Sequence, residues 1–191
     1  MIHIPVKMIL KKEDMNILHE FVKKYEVPEG YRIRNFKEGE GPVWAQIETG
    51  AGEFKTEEDA LDHFYKEFGK YLDKMEELCF FIEDMHHLRP VGTAMAWFMA
   101  EEGKTDTGRL HWVGIHRDHQ GRKLAKPLLA RVGRALFENY ESAYLTTQTT
   151  SYKAINIYLE MGFSPVVEGS RSEKAWTVIE DILKKKILYG G

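Results

Sequence analysis

The chain has 191 residues, 43% of them apolar, which is enough to fill one hydrophobic core, and 27 basic against 30 acidic residues leave a net charge of -3. That balance makes no overall case for a nucleic-acid or membrane partner, and with no run of 18 uncharged apolar residues and no basic leader the sequence reads as a cytoplasmic protein without signal peptide or membrane span. The single cysteine, Cys79, lies in the apolar run Leu78-Cys79-Phe80-Phe81-Ile82, which argues against a disulfide framework or CxxC pair and reads as a buried strand position.

In chain order, residues 16–24 have the spacing of a short helix, and the turn Pro28-Glu29-Gly30 leads into Tyr31-Arg32-Ile33-Arg34-Asn35-Phe36, whose alternation predicts the first strand. Gly41-Pro42 opens a helical stretch through Glu48 that residues 50–52 break. Thr56 with Asp59 resembles a capping box, and Leu61, Phe64, Phe68, Leu72 and Met75 recur on one face, predicting one long helix with a buried aromatic stripe. Residues 78–82 and 91–99 predict an antiparallel hairpin with a long polar loop, and residues 110–115 a further strand. Leu124, Leu128, Val132 and Leu136 mark a helix within 121–140, followed by a strand over 143–147 and a helix through Ala154, Ile155, Tyr158 and Leu159 that Gly162 caps. A strand over 163–167 and a closing helix through Trp176, Ile179 and Leu183, ending in Lys184-Lys185-Lys186, complete the order. No repeat or linker marks a boundary, so the expectation is one domain over 1–191 of α/β (α+β) class, with 1–28 an N-terminal extension and 170–191 a C-terminal helical segment.

The most informative segment runs from Val113-Gly114-Ile115 through His116-Arg117-Asp118-His119-Gln120-Gly121-Arg122-Lys123-Leu124 to Ala125-Lys126-Pro127, a strand leading through a polar loop into a helix. The first four N–H groups of a helix lack intrahelical partners and carry partial positive charge, so this junction is a natural phosphate cradle, with small residues at Gly121 and Ala125 permitting close approach. Pro127 is tolerated only in the first turn, which sets the helix start a few residues earlier and leaves amides near Arg122 to Lys126 available. Six basic residues, Arg117, Arg122, Lys123, Lys126, Arg131 and Arg134, against the one acid Asp118 fit a polyphosphate ligand, although an amphipathic helix also carries solvated charge. Neither GxxxxGK[ST] nor GxGxxG is present.

These residues resemble the GNAT superfamily of N-acetyltransferases, whose signature Gln/Arg-x-x-Gly-x-Gly/Ala is matched by Gln120-x-x-Lys123-x-Ala125, with Lys123 in place of the glycine. A second family pattern, Asn-x-x-Ala-x-x-x-Tyr followed by Gly-Phe, is matched by Ser151-x-x-Ala154-x-x-x-Tyr158 and Gly162-Phe163, with serine for asparagine. The resemblance covers residues 31–167 and implies a mixed, mostly antiparallel sheet flanked by helices and splayed between the family's fourth and fifth strands. It implies acetyl-CoA as cosubstrate, its pantetheine on the backbone of Val113, Gly114 and Ile115 and its pyrophosphate on Gln120, Gly121, Arg122, Lys123, Leu124, Ala125 and Lys126.

The resemblance makes Tyr158 the candidate acid for the leaving thiolate, against a core tyrosine as the plain alternative. His111, an imidazole that titrates near neutrality, is the candidate base for the amine, or a structural histidine. Ser151 and Asn156 are candidate cofactor contacts, Ser151 equally an N-cap; Thr146, Thr147, Gln148 and Thr149 are candidates for the acceptor side. His116 with His119, and His86-His87, have no cysteine or carboxylate cluster to complete a zinc site, so no metal is expected. The expected activity is transfer of an acetyl or longer acyl group to a primary amine, of a small molecule or peptide. A catalytically silent acyl-CoA sensor and a nucleotide-binding protein are the other readings. Trp44, Phe54 and Trp176 suit either a homodimer interface or the core.

Overall fold

The structure, a computed structural model, describes residues 3–98 and 106–188; Met99, the expected end of a strand, lies outside the described residues. The chain divides into two compact units, one of Met1–Phe21, Phe98–Arg109 and Leu136–Gly191, the other of Val22–Trp97 and Leu110–Ala135. Among the described residues seven strands are hydrogen-bonded in the order β2-β3-β4-β5-β6-β1-β7, where β1 is Pro5–Leu10, β2 Tyr31–Asn35, β3 Cys79–Asp84, β4 Arg89–Phe98, β5 Thr107–Ile115, β6 Ser142–Gln148 and β7 Ser164–Val166. The single strand β5 contributes to both units, its first residues to one and its last to the other. The mixed, mostly antiparallel sheet flanked by helices is the expected class.

In the first unit β1 pairs antiparallel with β6 (Pro5↔Gln148 to Leu10↔Ala143) and with β7 (Lys7↔Val166 to Ile9↔Ser164). The sequence reading began its first strand at Tyr31 and missed this one, although Val6, Met8 and Leu10 point inward at 4%, 0% and 0% exposure in strict alternation with their neighbours. The β5–β6 pair is parallel over Thr107–Arg109 and Ser142–Tyr144. Helix α1 (Met15–Lys24) follows β1, and its His19 ring stacks on Phe137 at 4.8 Å. Later in this unit come α6 (Tyr152–Glu160) and α7 (Ser170–Leu183), the latter packed on α6 and β1 with Trp176 fully buried.

In the second unit α2 (Gly41–Ala51) packs on α3 (Glu57–Phe68). The expected long helix is two, α3 and α4 (Leu72–Leu78), because Gly69, a poor helix residue, ends the first and the Tyr71 N–H turns back to the Phe68 carbonyl at 2.7 Å. Phe64, Phe68 and Met75 are nevertheless buried as expected. Between β3 and β4 the long loop shrinks to residues 85–88. Every residue of β3 is buried, and Glu83, 5% exposed, is satisfied there by Arg32 Nε at 2.6 Å and Arg34 Nε at 3.4 Å. Cys79 is fully buried and its thiol is pushed up to about 12 by burial, as befits a packing residue. Helix α5 (Ala125–Asn139) begins in this unit, where Arg131 lies over the Phe80 ring at 4.0 Å. Trp44 and Trp176 are core residues at 0% exposure, each within its own unit.

The expected N-cap of α3 is present: the Thr56 hydroxyl accepts from the Asp59 N–H at 3.1 Å and donates to the Asp59 carboxylate at 2.7 Å. Thr56→Ala is expected to cost about 1 kcal/mol and to lower the thermal midpoint by about 2–4 °C in a denaturation scan.

Candidate functional site

The strand-loop-helix element lies wholly in the second unit. After β5 the chain makes a 3-10 turn at Arg117–His119 and reaches α5 at Ala125, so Pro127 is the third helical residue, in the first turn, where its missing N–H would have had no intrahelical partner. Gly121 (φ 78°) and Lys123 (φ 62°) both take the left-handed conformation, which is free for glycine and costs a lysine about 1–2 kcal/mol. Leu124, 2% exposed, pins the loop to the core, so what it offers a ligand is its backbone amide. Gln120 folds back and donates from Nε2 to the Ile115 carbonyl at 3.0 Å.

Only part of the expected cation excess faces outward from this loop. Arg117 donates to the carbonyls of Gly50 (3.1 Å) and Thr49 (3.3 Å), closing the negative end of α2, and Arg131 covers Phe80. Arg122 donates to the Tyr31 hydroxyl at 3.1 Å and the Asp118 carbonyl at 3.3 Å, and Lys126 to the Tyr25 hydroxyl at 2.9 Å, while Lys123 is exposed at the loop's crest. Of the six basic residues, Arg117 and Arg131 thus have structural partners within the unit.

Upstream on β5, His111 Nε2 lies 2.7 Å from Glu67 Oε1, while Glu67 Oε2 accepts from Trp112 Nε1 at 3.0 Å and lies 2.9 Å from His63 Nε2. Burial opposes the ionisation of Glu67 most strongly, but the hydrogen bonds from His111, Trp112 and His63 and the charge of His111 outweigh it and hold the carboxyl at about 2. An ionised carboxylate only accepts, so it fixes the His111 tautomer with the proton on Nε2 and makes Nδ1 the basic position. Trp112 itself has φ 44°, an outlier for a bulky residue, and is held there by Glu67 and by the Phe54 (5.5 Å), Trp44 (5.1 Å) and His63 (5.1 Å) rings. Sequence reasoning missed Glu67; its i, i+4 spacing from His63 was the available signal, but its partner His111 is 44 residues away.

One turn further along α2 from Trp44, Glu48 is fully buried, neither carboxylate oxygen has a hydrogen-bond partner, and the Trp44 Nε1 is likewise unpaired. Gly114 has no side chain because there is no room for one: a Cβ there would sit 2.8 Å from Glu48 Oε1. Val113 and Ile115 on either side are partly exposed.

The remaining predicted residues belong to the first unit. Tyr158 is 6% exposed beside Phe163, with ring centroids 6.4 Å apart. Ser151 immediately precedes α6 but makes no side-chain capping bond, and Asn156 Oδ1 accepts from Lys185 Nζ at 2.6 Å. Thr149 is fully buried and its hydroxyl accepts from the N–H of Ile4, the residue before β1, at 3.1 Å; Thr146 accepts from Arg109 at 3.5 Å. Among the described residues no group of three or more His, Cys, Asp or Glu is arranged to hold a metal ion, and no helix is long and apolar enough to cross a membrane.

Burial, with Glu53 nearby, pushes Glu48 up to about 8, far above its unfolded value. The folded state thus holds a proton that the unfolded chain releases near pH 4, so the stability this group contributes is fully present below that pH and is lost as pH rises through about 8. Thermal midpoints across that window should fall for the native protein and fall less for Glu48→Gln.

The sequence model of the acetyltransferase (GNAT) family matches residues 44–163, more than half of the chain. Among solved structures, a tandem GNAT protein from the clavulanic acid biosynthesis pathway is similar at TM-score 0.62 and 12% identity, over 84% of this chain and 50% of that one. A GCN5-related N-acetyltransferase from Sphaerobacter thermophilus is similar at TM-score 0.62 and 19% identity, over 85% and 48%, and a GNAT-family acetyltransferase from Colwellia psychrerythraea at 0.59 and 9%, over 87% and 55%. The chain thus spans about half the length of these structures, and at such identities the likeness is one of fold. No curated protein matches the chain. With the family pattern spanning α2 to Phe163 and the fold shared, the chain belongs to the GNAT acetyltransferase family.

Proposed function

We propose that the protein is an acetyl-CoA-dependent N-acetyltransferase that moves the acetyl group to a primary amine by direct attack on the thioester. The observation that carries this reading is the β5-loop-α5 junction, where left-handed Gly121 and Lys123 lead into a helix that begins at Ala125, so that its N-terminal end, with its partial positive charge, faces the loop. That junction fits a pyrophosphate: Gly121, Lys123 and Lys126 bring no acidic side chain, and Lys123 adds an exposed positive charge. Val113, Gly114 and Ile115 supply the strand backbone for the pantetheine, and Gln120, Arg122 and Leu124 shape the loop.

Acetyl-CoA supplies the acyl group as a thioester. The protein's own task is to make the amine neutral, because a primary amine with a pKa of about 10 is mostly protonated at neutral pH. His111 Nδ1 takes that proton, directly or through water, and Glu67 is the positioning residue that holds the ring and its tautomer. Nitrogen then attacks the carbonyl carbon as the carbon-sulfur bond breaks; Tyr158, on the strength of the family pattern alone, gives its hydroxyl proton to the departing sulfur, and the proton shed by the new amide nitrogen restores the tyrosine hydroxyl. Ser151 and Asn156 are assigned to the cofactor on the same ground, Asn156 after exchange of its Lys185 contact.

Calorimetry should give one acetyl-CoA site, abolished by Ala125→Tyr and weakened about tenfold by Lys123→Glu. Turnover against an amine panel should fall about 10²-fold or more in His111→Gln and Tyr158→Phe. Glu67→Gln should lower kcat while leaving acetyl-CoA affinity and thermal midpoint near native, a split that loss of packing alone would not produce. A folded protein that binds no acetyl-CoA or longer acyl-CoA would overturn the reading.

A further inference from the structure

One face of the first unit's part of the sheet carries two cations on a single aromatic ring. The alternation of β1 and β6 turns Val6, Met8, Leu10, Ala143 and Leu145 into the core and leaves Lys7, Tyr144 and Thr146 on the other face. Pairing sets Lys7 directly opposite Thr146 and Arg109 directly opposite Tyr144, so β1 and β5 bring their cations to β6 from either side. Lys7 Nζ and the Arg109 guanidinium carbon each lie 5.7 Å from the centroid of the Tyr144 ring, and Arg109 Nη2 lies 3.5 Å from the Thr146 hydroxyl oxygen.

Among the described residues neither cation has an ion pair with a carboxylate. Arg109 is partly buried, and its Nε has neither accessible surface nor a hydrogen-bond partner. A guanidinium is always charged, and a charge drawn out of water is ordinarily paired. Tyr144 offsets part of that cost by cation–π attraction, but the one ring serves two cations that repel each other. At 5.7 Å from one centroid the two charges stand no more than about 11 Å apart, close to a Debye length, so salt screens the repulsion only in part.

Lys7 and Thr146 also line a groove of about 300 Å³ that takes in Pro5, Val166, Glu168 and Arg171. Val166, Lys7 and Thr146 form one cross-strand row, because Lys7 pairs with both of the others. Pro5 and Val166 give the groove an apolar side and Arg171 adds a third cation, while the one carboxylate among the lining residues, Glu168, makes no ion pair with Lys7, Arg109 or Arg171. Its volume suits a small organic molecule better than a lone ion.

We propose that this groove binds a small organic oxyanion, a carboxylate or phosphate head group on an apolar body, with the head at Thr146 between Lys7 and Arg109 and the body along Pro5 and Val166. Such a head group is attracted by both cations at once, and the Thr146 hydroxyl still has its proton to donate, because its contact with Arg109 uses only the oxygen. Packing on Tyr144 explains one cation there; a second of like charge is explained by an anion shared between them. The site lies wholly within the first unit and is independent of the acetyltransferase reading.

The test follows the backbone amides of the full chain by proton-nitrogen NMR during titration, at constant ionic strength, with benzoate, with phenyl phosphate and with the uncharged benzyl alcohol. At least one of the anions should shift the amides of Lys7, Arg109 and Thr146 saturably, and benzyl alcohol should bind about tenfold more weakly or not at all. The tighter anion identifies the head group. Lys7→Gln, at an exposed position that the fold tolerates, and Arg109→Gln should each weaken the anion about tenfold, and Lys7→Arg should retain it. Three results would overturn the proposal. Equal affinity for anion and alcohol reduces the site to an apolar groove. Anion shifts that survive both glutamine variants, or that fall on residues 120–126 instead, place the anion elsewhere. No saturable shift from either anion leaves Lys7 and Arg109 as packing for Tyr144.

Discussion

The candidate chemistry of the second unit depends on how the last part of β5 is gripped by side chains from α2 and α3. Glu67 on α3 takes hydrogen bonds from two consecutive β5 residues, His111 and Trp112, and Glu48 on α2 lies flush against a third, Gly114. Trp112 can hold its unfavourable φ of 44° only because these neighbours over-determine it, a strain of about 1–3 kcal/mol that packing must offset. A regular strand would alternate its side chains across the sheet. The departure at Trp112 instead sets two adjacent residues, His111 and Trp112, on the same carboxylate.

Natural sequences satisfy nearly all of their buried polar atoms, and the exceptions concentrate where a ligand or a reaction is to be served. Among the described residues of the second unit, the buried side-chain atoms without partners are Trp44 Nε1, both oxygens of Glu48, and His119 Nδ1. The first three come from one helix, α2, one turn apart, and the last belongs to the turn that directly follows β5. Glu67 shows the opposite solution in the same unit: three donors keep it ionised in a partly buried place. The two glutamates are thus pushed in opposite directions, Glu48 up by complete burial without a hydrogen-bond partner and Glu67 down by its three donors.

The sheet-forming and helix-forming periodicities of residues 31–167 were legible because they are local, and so was the strand-loop-helix junction ahead of α5, whose start Pro127 marks in a short window. The strand Pro5–Leu10 was equally periodic but short and isolated at the start of the chain, and its place between β6 and β7 depends on partners more than 130 residues away. The break at Gly69 was hidden because Phe68, Leu72 and Met75 keep helical spacing across it. Glu48 carried no signal in its own neighbourhood, and Glu67 only its i, i+4 spacing from His63. Their roles come from strands and turns far along the chain, and a charge on a helix reads by itself as a solvated one.

Lys123 shows why the departure from the family signature is informative. The residue takes a left-handed conformation that costs about 1–2 kcal/mol relative to glycine, and it puts a positive charge two residues ahead of a helix start whose dipole already favours negative charge. Both terms oppose a lysine in the protein standing alone, and Arg122 beside it adds like charge. Packing does not supply the compensation, because the side chain is exposed. A bound polyanion would reverse the sign of every electrostatic term at once while leaving the backbone cost unchanged. The lysine is therefore better explained by what the loop binds than by how the loop folds, and that is the strongest argument from a single residue for a phosphate-bearing ligand at the head of α5.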